Sequence, residues 1–309
     1  MINLQLQKKR GMFLRRLSHS DRIFQIAGNT YLIVAGLLVL YPIIYCIACS
    51  FSSTEAIFQG RVFLWPVGFT LKSYQTVITY GSLVTGFFNS LLYVAGGTLV
   101  AVSLLVLAAY PLSRRDLPFR KIIQTYFVIT MFFSGGIIPN YILMRQLGLI
   151  GSRWSLIIGF MFSCYSMIIV KSYFQTNLPA GILDAAKIDG CTDVRFFFVI
   201  ALPLSIPVIA VMVLFNAVGI WNSYFNAMMF LTKSETYSFQ LVLRDILIVA
   251  QMPPETLAKM DPNYIANMYN LIEQIKYAVL IIGAAPMMIL YPFIQKYFIR
   301  GLLIGSLKE

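Results

Sequence analysis

A chain of 309 residues that is 59% hydrophobic and 12% charged, with mean hydropathy +0.76, is too apolar for an ordinary soluble domain and belongs in a bilayer. A net charge of +12 would suit nucleic acid, but the Lys and Arg are dispersed around apolar spans and form no single stripe, so anionic headgroups are the simpler partner. The only histidine, His19, lies in a basic tail, which leaves no material for a His-based metal or catalytic centre.

Residues 1–25 form that tail, with Lys8, Lys9, Arg10, Arg15, Arg16 and Arg22. The apolar run Ile26–Ser50 is too long for the core of a cleaved signal peptide and lacks a small-residue cleavage pattern, so it is expected to stay as the first span. Pro42 is tolerable there because neighbouring helices can re-satisfy the freed backbone groups. Cys46 and Cys49 spell a C-x-x-C within this span, without the soluble context of a redox or zinc motif. Cys164 and Cys191 also lie in or beside apolar segments, which argues against a disulfide framework.

Five more apolar stretches each approach the length a helix needs to cross the hydrocarbon core: Gly86–Leu112, Ile122–Met144, Trp154–Phe174, Leu204–Met229 and Tyr277–Phe298. The expectation is an all-α, polytopic membrane protein with six transmembrane helices. With the N-terminus inside, most of the 24 Lys and Arg fall on the cytoplasmic side, chiefly in the tail and at Arg114, Arg115, Arg120 and Lys121. Two long segments then face outward. The first, about residues 51–85, carries Trp65, Phe69 and Tyr74 as interfacial anchors. The second, about 230–276, has an apolar-periodic piece at Phe239–Val249 whose helical patterning argues against disorder.

The cytoplasmic segment Leu183–Pro207 is polar in a patterned way. Asn177 and Pro179 are read as opening a helix that continues through Leu183 to Asp189, with Pro at the first helical position. Gly190 suits the left-handed residue after a helix end, and Thr192 suits the N-cap of a second helix that begins at Asp193 and runs towards Pro203 and Pro207. Ala185 and Ala186 keep this surface low for another protein's backbone, and Asp184, Lys187, Asp189, Asp193 and Arg195 place charges around it.

Within the spans, Asn89, Asn140, Ser163, Tyr165, Asn216, Trp221, Asn222 and Tyr224 are polar or aromatic, and intramembrane polar groups usually face a bundle interior or a wet cavity. Their amides, hydroxyls and flat rings suit sugar hydroxyls and the apolar faces of pyranoses. The competing reading is that they glue helices together or mark the interface. Arg145 and Arg153 flank the short external loop between the third and fourth spans, where snorkelling to headgroups is the simpler role.

The order Asp184, Ala185, Ala186, then Gly190, then Ile200, Leu202 and Pro203 resembles the EAA signature of permease subunits of bacterial ABC importers, with Asp184 where glutamate is usual. The stretches AYPLSRRDLPFRK from Ala109, FFSGGIIPNYILMRQLGLIGSRWSLI from Phe132 and AVGIWNSYFNAMMFL from Ala217 resemble carbohydrate permeases of the maltose type. So do QLVLRDILI and the C-terminal QKYFIRGLLIGSLKE. Permeases of Gram-positive importers for complex or polysaccharide-derived oligosaccharides are the most similar subgroup.

The resemblance implies the type I ABC importer permease fold, with a cytoplasmic tail 1–25, a six-span domain 26–300 and a tail 301–309. It also implies a second permease subunit, two ATPase subunits that bind ATP and Mg, and an extracellular sugar-binding lipoprotein. The chain itself would hold no cofactor or metal and catalyse nothing. Leu183, Asp184, Ala185, Ala186, Asp189, Gly190, Asp193 and Pro203 would couple to an ATPase through helices at about 179–201. The segment after Met229 would touch the binding protein. The tail with Arg300, Gly301 and Gly305 would approach the ATPase interface.

An ATPase subunit is excluded, because no G-x-x-x-x-G-K-[ST] loop and no Gly-Lys dipeptide occurs. A secondary transporter would be expected to carry internal repeats and an intramembrane carboxylate or histidine, whereas the acidic residues here fall in tails and loops, with Glu273 at the rim of the last span. An intramembrane enzyme would need a nucleophile with a base, paired carboxylates or metal ligands within the spans, and none is found. An ABC permease for a non-sugar solute is the alternative that stays open, and behind it a stand-alone secondary transporter.

Overall fold

A computed structural model of the chain describes residues 19–159, 162–250, 272, 274–293 and 295. Among the described residues every regular element is helical. Among the described residues, three helices are long and apolar enough to cross a membrane, covering 22–50, 81–113 and 274–293. Counting each of two bent pairs as one span would bring the number to five.

The first unit, ending at Leu71, holds α1 (His19–Ser50) and the short α2 (Thr54–Phe58). The second unit begins at Lys72 with α3 (Lys72–Thr79) and is built around α4 (Gly81–Ser113). The third apolar stretch forms α5 (Arg120–Phe132) and α6 (Ile137–Gln146), bent by 114°. The break falls at Ser134-Gly135-Gly136, where Gly136 takes φ 83°, a conformation that L side chains resist. The fourth stretch is divided between α7 (Trp154–Gly159) and α8 (Cys164–Asn177), and Ser163, expected among the path residues, is the N-cap of α8.

The hairpin expected before the fifth span is α9 (Ala180–Ile188) and α10 (Asp193–Phe196). A π-helical turn, Phe197–Ala201, leads into the one-turn α11 (Leu202–Leu204) and then α12 (Ile206–Trp221). Pro203 has no N–H to offer the carbonyl of Val199, and here the ladder shifts register, with Leu202 N–H reaching Phe197 O. Pro207 likewise cannot bond the carbonyl of Pro203, and its ring would clash there. The chain accordingly turns by 75° at Ser205. The fifth stretch ends in α13 (Tyr224–Phe230), a 3-10 turn at Ser234–Thr236 follows, and the periodic piece expected in the outer segment is α14 (Phe239–Ala250). The last span, α15, covers Gln274–Phe293.

Helix α4 touches α7, α8, α12 and α14 and carries the core along its length. At its hairpin end Leu105, Ala109, Tyr110 and Leu112 pack with Val170 and Phe174 of α8 and with Phe196, Phe197 and Ala201. At its other end Leu83 packs with Trp221, Phe239 and Val242, and Ile275 and Val279 of α15 close the same cluster. Gly86 lets α14 come close: a Cβ there would lie 3.3 Å from both N and Cα of Phe239.

Of the six apolar stretches expected, three are unbroken helices long enough to span among the described residues, two are the bent pairs, and the fourth, divided between α7 and α8, does not form a span-length helix there. Much of their large apolar surface, including Leu37, Leu38, Leu99, Leu107, Ile289 and Phe293, is exposed, as suits lipid or neighbouring subunits.

Candidate functional site

The hairpin forms because each of its turns meets its backbone needs locally. Helix α9 starts after Pro179, which stands at the N-cap; Asn177, expected to open this helix, is the last residue of α8. Its far end is a Schellman motif: Cys191 N–H donates to Ala186 O at 2.9 Å, and Gly190 N–H donates to Lys187 O at 3.0 Å. Gly190 takes φ 73° with nothing within 4 Å of a notional Cβ, so its glycine is required by the backbone and not by crowding. The Thr192 hydroxyl accepts from Arg195 N–H at 3.3 Å and caps α10.

The two faces of the hairpin differ. Ala186, Phe196 and Phe197 are buried against Tyr110 and Phe174, with the rings of Tyr110 and Phe197 4.9 Å apart, and Leu183 packs partly on the same cluster. Ala186 therefore serves the internal core, a correction to its expected place on a docking surface. Asp184, Ala185, Asp189 and Gly190 are exposed. Beside them stand Ile188 and Val194, 86% and 69% exposed, two apolar side chains that the pattern of charges and small residues did not single out. Pro203 is exposed on the bend that joins the hairpin to α12.

The loop after α4 grips the hairpin. Arg114, with its side chain only 13% exposed, donates from Nη1 to Asp193 Oδ1 at 2.6 Å. It holds Asp116 through Nε at 2.9 Å and through Nη2, and Nη1 lies 3.4 Å from the Tyr110 hydroxyl. Lys187 of α9 approaches Asp116 at 3.9 Å. The guanidinium holds the Asp116 carboxyl below the usual carboxylate range, and its bond to Asp116 raises Arg114 still further above neutrality. Asp193, expected to meet a partner, is thus already paired within the chain.

Arg120 Nε and Gln124 Nε2 both donate to Leu112 O, which satisfies a terminal carbonyl of α4. Tyr110, Arg114, Arg115, Arg120, Asp184 and Lys187 share the lining of an open cavity of about 710 Å³ between loop and hairpin.

The residues expected along a path separate into two groups. Asn89, 6% exposed, donates to Glu235 O at 2.8 Å and Tyr237 O at 3.1 Å, and Arg153 Nη2 donates to its Oδ1 at 3.3 Å. Trp221, 2% exposed, donates from Nε1 to Gly283 O and packs among Phe87 and Phe239. Both are helix-joining groups, the competing role that their residue types allowed. Ser90 and Tyr93, which sequence reasoning passed over, act with Asn89: the Ser90 hydroxyl accepts from Phe239 N–H, and the Tyr93 hydroxyl donates to Thr236 O at 2.6 Å.

In the second group, Asn140, Tyr165, Asn222 and Tyr224 are exposed, and Asn216 is half-buried. Asn216 and Asn222 donate their side-chain amides back to Met212 O and Val218 O, four residues earlier in the chain. The Arg244 guanidinium lies 5.9 Å from the centre of the Tyr224 ring. Arg145 is exposed at the end of α6. Arg300, Gly301 and Gly305 lie outside the described residues, as does Glu273. No group of three or more His, Cys, Asp or Glu among the described residues is placed to hold a metal ion.

Comparisons with known proteins fit this geometry. The polygalacturonan/rhamnogalacturonan transport system permease protein YtcP of Bacillus subtilis (strain 168) is 38% identical over 292 residues, covering 93% of this chain and 99% of that protein. Protein LplC of the same organism is 36% identical over 289 residues, covering 94% and 96%. A crystal structure of a bacterial ABC transporter involved in the import of the acidic polysaccharide alginate contains a chain with TM-score 0.81 and 33% identity, covering 91% of this chain and 99% of that one. A family model, described as the binding-protein-dependent transport system inner membrane component, matches residues 105–304, a range that includes the hairpin and most of the bundle. The chain belongs to that family of membrane permeases.

Proposed function

We propose that the chain is a non-catalytic transmembrane subunit of an ATP-driven importer that passes oligosaccharides inward by alternating access. One half of the pathway comes from this chain and the other from a second permease of similar fold. Two ATPase subunits, which bind the ATP and Mg, supply the energy, and an external sugar-binding lipoprotein delivers the cargo. Both termini are cytoplasmic in this reading, in keeping with the distribution of Lys and Arg.

The observation that carries the reading is the hairpin: two short helices turned at Gly190, one face anchored in the core and the other presenting Asp184, Ala185, Ile188, Asp189 and Val194 to a partner. The anchored face makes the hairpin a lever, because force on the exposed face passes through the π-helical turn and Pro203 into α12. The names of the relatives, for polygalacturonan/rhamnogalacturonan and for alginate, support a saccharide cargo. Asn140, Tyr165, Asn216, Asn222 and Tyr224 supply the carbonyls, hydroxyls and rings that this subunit adds to the path. A cation beside Tyr224 suits an acidic sugar.

Uptake of labelled neutral and acidic oligosaccharides by a deletion strain, with and without the restored gene, tests the cargo. Pull-down of the tagged chain tests the assembly. Accumulation of at least one oligosaccharide only in the restored strain, with ATPases and a second permease in the eluate, is expected. Solute uptake by the purified chain alone would overturn the assignment.

A further inference from the structure

Besides the apolar packing of Ala186, Phe196 and Phe197 against α4 and α8 and the chain's own passage from α8, the hairpin is joined to the bundle in two further ways. One is covalent, through Phe197–Ala201 and the 75° turn at Ser205 into α12. That route contains a π-helical turn and two prolines, so it is a compliant one. The other is the Arg114 clasp. Arg114 is the C-cap of α4, its own N–H held by Pro111 O at 3.1 Å, and it engages α10 directly through Asp193 and α9 through Asp116 and Lys187.

Helix α4 is unbroken over 33 residues, roughly 50 Å at 1.5 Å per residue. Near its far end Asn89, Ser90 and Tyr93 hold the backbone of 235–239 by four hydrogen bonds. A continuous helix carries displacement along its axis, and this one is fixed by directional bonds at Arg114 and again at Asn89, Ser90 and Tyr93, in its third and fourth turns.

We propose that Arg114 is a positioning residue that ties hairpin movement to α4, so that nucleotide-driven displacement of the hairpin reaches the outer segment at 235–239. This rests on the reading of the hairpin as the ATPase contact. The fork geometry of arginine matters: it holds two carboxylates and a tyrosine hydroxyl at once, which a lysine ammonium on a flexible stem cannot reproduce.

The test uses the complete importer, purified and reconstituted in proteoliposomes with its loaded binding protein. Sugar moved per ATP hydrolysed is measured for Arg114→Gln, Arg114→Lys, Asp193→Asn and the Arg114→Gln/Asp193→Asn double variant. A spin label on Lys233→Cys, in a background with the native cysteines replaced by alanine, reports nucleotide-dependent movement outside.

Arg114→Gln is expected to keep its ATPases bound, to lower sugar per ATP roughly five-fold or more and to abolish the spectral change at position 233. Arg114→Lys should fall between Gln and the natural residue, and the double variant should be no worse than Arg114→Gln, the signature of a shared interaction. Unchanged sugar per ATP in Arg114→Gln, or a spectral change that persists, would overturn the clasp. Loss of the ATPases from that variant would overturn it too, since the pair would then serve docking. Cross-linking from Ala185→Cys to the ATPase separates the two ideas: without it in the otherwise natural importer, the hairpin reading itself is wrong.

Discussion

Gly190 has a backbone reason and no packing reason for its identity, which makes its substitutions diagnostic. Asn tolerates the left-handed conformation, whereas a β-branched residue pays about 1–2 kcal/mol or more there. Gly190→Asn should therefore retain near-normal uptake, and Gly190→Val should lose most of it while remaining in the membrane fraction; equal uptake by the two would show that the turn geometry is irrelevant. Asp116 gives a pH expectation with a definite sign. Its carboxyl is held below the ordinary aspartate value, so the stabilisation is fully present above about pH 4 and is lost as pH falls through the lowered folded value. Arg114 stays charged throughout. Sugar per ATP should thus show no step assignable to this clasp between about pH 5 and 8; a step in that range that Asp116→Asn removes would contradict the assignment.

At the scale of elements, the end of α4 away from the hairpin and the start of α14 are fitted closely together. Gly86 leaves room for Phe239, whose N–H reaches the Ser90 hydroxyl at 2.8 Å. Gly86→Val should push the helices apart at a cost of about 1–3 kcal/mol, read as a lower thermal midpoint of the detergent-solubilised protein. Gly219, with nothing within 4 Å of a notional Cβ, is the control: Gly219→Ala should leave the midpoint unchanged or raise it. A Gly86 variant as stable as this control would mean that the close approach contributes nothing. The hairpin end combines two kinds of contact, the aromatic packing of Tyr110, Phe174 and Phe197 and the ion pairs of Arg114 with Asp116 and Asp193.

For the whole molecule, the exposed apolar surface and membership of a binding-protein-dependent transport family set the same expectation: this chain works inside an assembly. Purified alone in proteoliposomes, it should neither hydrolyse ATP nor move saccharide, and both activities should return only with its partners. ATP hydrolysis by the lone chain, free of contaminating ATPase, would overturn the non-catalytic assignment. Within the bundle, Asn89, Ser90, Tyr93 and Trp221 are committed to holding residues 235–239 and α15.

Apolar run length, Gly190, Thr192 and the spacing from Asp184 to Pro203 made the membrane class, the hairpin and the family resemblance legible, because span length, turn chemistry and caps are local properties of the chain. The roles of the polar span residues were not legible. An asparagine that lines a path and one that bonds a loop carbonyl have the same residue type, and residues 146 positions apart in the chain, Asn89 and Glu235, meet only after folding. The Arg114 clasp escaped for the same reason: a basic loop residue reads as an orientation signal until tertiary contact, across 79 positions to Asp193, supplies its partner. The breaks in the third and fifth spans lay between these cases. Their Gly and Pro residues were visible, but whether neighbouring helices would re-satisfy the backbone or let it bend was decided by packing.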